Sequence, residues 1–142
     1  MSTTYLVSCV KTKAGARCPA ADMYHSPWFV AARAYVEARR ATWYILSAKY
    51  GLVEPTETID PYEYTLNNAP ITERQRWAML VLDGLHDRLV SGDEVVFFAG
   101  KRYREFLEAP LQGRGIKVRV PMSALRQGEQ VSWLQSHHYD SP

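Results

Sequence analysis

Cysteine is scarce in this sequence: Cys9 and Cys18 are the two among 142 residues, too few for a small scaffold stapled by disulfides. Long apolar runs are missing as well. None approaches the ~20 residues of a membrane span, so no membrane partner is expected. Nor does a basic stretch followed by an apolar one open the chain, since Met1 to Thr4 lead straight into Tyr5-Leu6-Val7. A cytoplasmic, reducing location is the expectation. There a thiol matters for reactivity or packing, with a Cys9–Cys18 disulfide as the alternative. Charge of one sign is not in excess either. Seventeen Lys and Arg against fifteen Asp and Glu leave a net +2, which permits a phosphate-bearing partner but is no nucleic-acid footprint. The four histidines (His25, His86, His137, His138) show no metal-ligand spacing, so no metal is expected. Gly100-Lys101 lacks the rest of a phosphate-binding P-loop, and no cofactor is expected. Repeats, low-complexity blocks and linkers are absent.

What is present is a chain of globular composition, 46% apolar and 23% charged, long enough for one hydrophobic core. One domain over residues 1–137 is expected, with a short tail at 138–142. Short apolar runs alternate with amphipathic segments. Tyr5-Leu6-Val7 reads as a first strand ending at Ser8-Cys9. Ser26-Pro27 reads as a helix start, with Phe29, Ala32 and Tyr35 or Val36 on one face to about Arg40. Trp43 to Leu46 is the next strand, and residues 51–61 read as a long loop with a helical turn near Pro61 to Leu66. Thr72 and Gln75 fit a capping box for a helix to about Val90, its stripe being Trp77, Leu80, Val81, Leu85 and Leu89. The continuous run E-V-V-F-F-A suggests a strand buried on both faces. A short helix over Arg102 to Glu108, a strand over Ile116 to Val120 and a helix over Glu129 to Gln135 complete the chain.

This alternation predicts an α/β fold, a three-layer sandwich with a mostly parallel sheet of about four strands. Ligands of such sheets bind beyond the carboxyl ends of the strands. The residues expected there are Ser8-Cys9, the stretch Ser47-Ala48-Lys49-Tyr50-Gly51, Ala99-Gly100-Lys101 and Pro121-Met122-Ser123. Cys9 reads either as a buried filler or as a nucleophile near Lys11 and Lys13. Lys49 reads as a solvated charge or as a phosphate partner, and Gly51 permits a positive φ or a close backbone approach. Ser26 reads as an N-cap and as a donor to an anion at the helix start. Tyr62 and Tyr64 read as loop anchors or base-stacking rings. Gly100 to Tyr103 reads as a glycine ahead of a basic helix start able to meet phosphate.

Taken in order, S-C-V-K-T-K, D-M-Y-H-S-P-W-F, I-L-S-A-K-Y-G-L and I-D-P-Y-E-Y-T-L, with G-K-R-Y and G-E-Q-V-S-W-L, resemble a bacterial and phage family of small uncharacterised domains. S-A-K-Y-G-L is the core of that signature. More distantly, Cys9, Lys13, Tyr24 and Ser26 resemble the cysteine, lysine, tyrosine and serine of the central domain of archaeosine synthase, which acts on a deazaguanine base in transfer RNA. That resemblance implies a uracil-DNA-glycosylase-like sandwich with a base pocket at the strand ends.

The functional expectation is an enzyme acting on a nucleobase or nucleotide, by N-glycosidic cleavage or base modification, on a free nucleotide or within DNA or RNA. Cys9, Lys13, Asp22, Lys49 and Glu129 are the catalytic candidates, with Asp22 or Glu129 as general acid or base. Ser8, Tyr24, Ser26, Ser47, Tyr50, Gly51, Tyr62, Tyr64, Gly100 and Tyr103 are the substrate-binding candidates. The alternative is a non-catalytic module that binds a nucleotide or nucleic acid with the same pocket. A third reading is an interaction protein using its loop tyrosines.

Overall fold

The computed structural model describes residues 2–137; the expected tail from 138 to 142 lies outside them. The first half runs β1 (Thr3–Ser8), β2 (Cys18–Pro19), α1 (Ala20–Met23), α2 (Pro27–Ala38), β3 (Thr42–Ser47), β4 (Gly51–Val53) and β5 (Thr58–Ile59). A 3₁₀ turn at Leu66–Asn68 leads to α3 (Ile71–His86), β6 (Glu94–Phe98), α4 (Lys101–Arg104), α5 (Glu108–Gly113), β7 (Lys117–Arg119) and α6 (Gln127–Ser136).

Five strands form the main sheet in the order β4-β3-β1-β6-β7. β1, β3, β6 and β7 are parallel, with Leu6 beside Tyr44 on one side and Phe97 on the other. These are the four strands expected from the apolar runs. The fifth, β4, was hidden in a stretch read as loop. It pairs antiparallel with β3, Ser47 opposite Gly51, and closes a hairpin through Ala48-Lys49-Tyr50. Gly51 sits at φ +75°, a left-handed conformation that side chains with a Cβ resist, and this lets the chain reverse there. β2 and β5 make a second, two-stranded ribbon.

Helices cover both faces. Neighbouring residues of a strand point to opposite sides, and β3 shows which helix lies where. Trp43 meets Phe29 of α2 at 6.4 Å, whereas Tyr44 lies under the Arg88 guanidinium just beyond α3, 5.2 Å away. Tyr5 and Phe98 face the first side too, meeting Tyr35 of α2 at 6.1 and 5.3 Å, and Trp133 of α6 packs on Tyr35. Leu6, Ile45, Leu46, Val95 and Phe97 are fully buried between the layers. Each such side chain stabilises the fold by about 1.5–3 kcal/mol relative to exposure.

Several boundaries differ from expectation for local reasons. α3 is capped by Pro70, whose carbonyl accepts the Glu73 and Arg74 N–H groups, so Thr72 lies inside the helix and forms no capping box. The helix stops at His86, four residues short of Val90, and Val90 is exposed. Leu80 leaves the expected stripe: it lies roughly 100° round from the centre of Trp77, Val81 and Leu85 and is 62% exposed. The helix expected over Arg102 to Glu108 divides into α4 and α5. The last helix starts at Gln127, two residues early, because the Glu129 carboxylate accepts the Arg126 N–H at 2.9 Å and caps it.

A cleft at the switch point of the sheet

From β1 the chain moves outward to β3 through α2, whereas from β6 it moves to β7 through α4 and α5. The two central strands therefore send their connections in opposite directions and leave a crevice beyond their carboxyl ends. Ser8 and Cys9 end β1, and Gly100 and Tyr103 follow β6. All four line a cleft of about 930 Å³. Its other walls come from Lys11 and Lys13, from Trp28 of α2, from residues 62–65, Asn67 and Asn68, and from Gln127 and Gln130 of α6.

At the floor is the Cys9 thiol, 8% exposed. Its sulfur accepts the Ala48 N–H at 3.4 Å and donates to the Tyr103 hydroxyl at 3.5 Å. Tyr103 Oη also accepts the Leu66 N–H at 3.3 Å and lies 3.4 Å from Thr65 Oγ1. Burial first, and then the charge of Cys9, pushes the Tyr103 phenol well above the ordinary tyrosine value. Trp77 of α3 meets the Tyr103 ring edge-on at 5.7 Å, and its indole N–H donates to Ser47 O at 2.8 Å.

A second network lies beside it. The Tyr50 N–H donates to Ser47 Oγ at 3.0 Å, and Ser47 donates to Tyr62 Oη at 2.9 Å. Tyr62 and Tyr24 join hydroxyls at 2.8 Å. Either hydroxyl of that pair can donate, since Tyr62 Oη can accept from Ser47 and still give or take a second bond. Desolvation raises both phenols: Tyr24 is pushed up to about 12, and Tyr62 rises further beside Cys9 and Tyr24. Lys13 Nζ stands 4.5 Å from the centre of the Tyr62 ring and 5.9 Å from that of Tyr24. Burial lowers the Lys13 ammonium below the usual lysine value, with Cys9 and Glu63 acting the other way.

Of the catalytic candidates, Cys9 and Lys13 face the cleft and three do not. The Asp22 carboxylate lies in a shallower hollow and pairs with Arg33 at 2.7 Å. Lys49 projects from the hairpin tip, its Nζ 5.2 Å from the Tyr50 ring, and Glu129 caps α6. Of the binding candidates, Ser8, Tyr62, Tyr64, Gly100 and Tyr103 line the cleft. Tyr24 and Ser47 lie beneath it as supports, 2% and 0% exposed. Ser26 caps α2 by accepting the Phe29 N–H at 3.1 Å. Tyr50 meets the Tyr62 ring edge-on at 5.6 Å, and Gly51 packs under Leu80 and Val81 of α3.

The reading of the sequence missed Trp28, Glu63, Asn67, Asn68, Gln127 and Gln130 as wall residues. Gln127 and Gln130 carry the clearest signal in retrospect, being three apart on a helix start and hence on one face. Gln130 is internally engaged: it accepts the Trp28 indole N–H at 2.8 Å and donates to Leu125 O at 2.9 Å. Among the described residues no group of three or more His, Cys, Asp or Glu could hold a metal ion, and no helix is long and apolar enough to cross a membrane. Both cysteines are free thiols.

The fold and the cleft define a mixed α/β domain with a ligand-sized opening at the switch point of a mostly parallel sheet. The chain belongs to a family of unknown function, DUF6884, whose profile matches residues 4–136. No curated protein sequence matches it.

Proposed function

We propose that this domain is an enzyme acting on a nucleobase or nucleotide, by N-glycosidic cleavage or base modification, in the cleft beyond β1 and β6. The observation that carries the reading is the convergence of a thiol (Cys9), an amine (Lys13) and aromatic walls (Trp28, Tyr62) on one cleft of about 930 Å³. That volume suits a nucleotide. The side-chain amides of Asn67, Asn68 and Gln127 offer donors and acceptors to a base edge. Lys11 supplies positive charge for phosphate or for negative charge developing in the reaction. Charge on the Cys9 sulfur would meet the Ala48 N–H and the Tyr103 hydroxyl. Proton transfer falls to Glu63, the carboxylate in the cleft wall, rather than to Asp22 or Glu129. A base within a polymer would have to be unpaired or flipped to reach Cys9. In this reading the sheet is of the uracil-DNA-glycosylase type, S-A-K-Y-G-L marks a bacterial and phage lineage, and the nearest chemistry is that of the central domain of archaeosine synthase.

The test is a mass-spectrometric screen of nucleosides, nucleotides and short oligonucleotides with the wild type, Cys9→Ser and Lys13→Met. A product whose formation slows at least about 100-fold in either variant supports the assignment. Full activity of both variants on every responsive compound sinks it. The alternative is a binding module, favoured by the two satisfied contacts of Cys9 and its small exposure. A binder raises the melting temperature with its ligand recovered unchanged.

A further inference from the structure

Lys13 is held in a way that a simple phosphate clamp does not need. Its backbone is pinned opposite Tyr24 by an isolated β-bridge, with the Ala14 N–H donating to Met23 O at 2.7 Å and the His25 N–H to Thr12 O at 2.9 Å. From this anchored position the side chain lies over the Tyr62 ring, Nζ 4.5 Å from its centre. The tyrosine oxygens are engaged with one another and with Ser47, so the amine meets ring faces. Its hydrogen-bond acceptor is Lys11 O at 3.3 Å. Three ammonium donors need three acceptors. Among the described residues Lys13 has no salt bridge; Glu63 and Cys9 reach it through their charge. The ring faces fix its place, and Lys13 is half-buried in the wall of the cleft.

We propose that Lys13 is a Schiff-base-forming amine and that the cleft takes a substrate with an aldehyde carbon, such as the open-chain form of a ribosyl phosphate. The proposal rests on the nucleotide reading above: water replaces the base at C1′, the base leaves with a proton, and the freed sugar phosphate opens to the aldehyde. The neutral Nζ lone pair adds to the carbonyl carbon. Both nitrogen protons pass by way of solvent to the carbonyl oxygen, which leaves as water, and a C=N bond remains. Lys11, exposed at the wall of the same cleft, meets the phosphate. Partial burial of Lys13 favours the neutral amine that this addition requires, since desolvation is the largest influence on it.

The experiment incubates the wild-type protein with ribose 5-phosphate and cyanoborohydride, which reduces any imine to a stable secondary amine. Peptide mass spectrometry then compares Lys13 with Lys11, Lys49, Lys101 and Lys117. The expected result is at least about tenfold more label on Lys13 than on any other lysine near pH 7, because a partly buried amine held over the Tyr62 ring is more often neutral than a solvated one. Ribose without phosphate should label it less, and Lys13→Arg should remove that label while the melting temperature stays unchanged. Label spread evenly over the five lysines, or absent from Lys13, overturns the proposal; equal labelling by ribose overturns the role of Lys11. Nucleotide turnover without capture sinks the Schiff base alone, and capture without nucleotide turnover sinks the nucleotide reading alone.

Discussion

Ser47 shows how much of the site hangs on one small side chain. It is fully buried at the end of β3, accepts the Tyr50 N–H and donates to Tyr62 Oη. Ser47→Ala leaves a buried hydroxyl and a backbone N–H short of a partner, an expected loss of about 1–3 kcal/mol. Urea denaturation with an unchanged m-value should report it. The same variant frees the Tyr62 ring on which Lys13 rests. The residues of S-A-K-Y-G-L read as either a plain strand exit or the edge of a site, and the structure divides them between the two. Ser47 supports the cleft floor, Ala48 gives its N–H to Cys9, and Lys49, Tyr50 and Gly51 build the hairpin. Spacing could not make that division, because it depends on which way a three-residue turn points each group.

At the scale of elements, the cleft wall over Tyr103 depends on how α4 is held to α3. Arg74 of α3 donates to Glu105 at 2.8 Å and to Ala69 O at 2.5 Å, and the two charged side chains are 10% and 14% exposed. Removing Arg74 leaves Glu105 with Arg102, 3.5 Å away, as its remaining cation and takes the side-chain donor from Ala69 O. Arg74→Ala should therefore cost about 1–3 kcal/mol. Amide hydrogen exchange should show the loss concentrated in residues 99–107. Uniform loosening across the sheet would contradict this account. The parallel strands and the long helices were legible because their apolar periods are strong: E-V-V-F-F-A and the Trp77, Val81, Leu85 stripe lie where they were expected. β4 was not legible. Three residues hold no period, and Gly51-Leu52-Val53 becomes a strand only because β3 offers an open edge beside it.

For the whole molecule, the buried phenols make alkaline pH the telling variable. Tyr24 is held up to about 12 against an ordinary 10.0, and Tyr62 and Tyr103 are raised too, in each case chiefly by desolvation. The unfolded chain ionises these groups at lower pH than the folded one. Their contribution is therefore complete below about pH 10 and is lost as pH rises through about 12. Melting temperature followed from pH 8 to 12 should fall steeply above 10, with the last phenolate absorbance appearing together with unfolding. Early, non-cooperative ionisation of all nine tyrosines would refute that.

The sequence by itself determined the α/β class, the four parallel strands and the edge of the sheet on which Ser8, Cys9 and Gly100 collect. Those follow from local period and from the rule that loops at one end of a parallel sheet gather together. Only the tertiary structure decided which polar groups face the opening. Asp22, Lys49 and Glu129 looked as reactive as Lys13 in the string of letters, yet two of them hold their own helices or ion pairs and the third meets solvent. The bridge between Lys13 and Tyr24 brings its side chain over Tyr62 in the cleft wall, a contact between distant stretches of chain that local spacing does not encode.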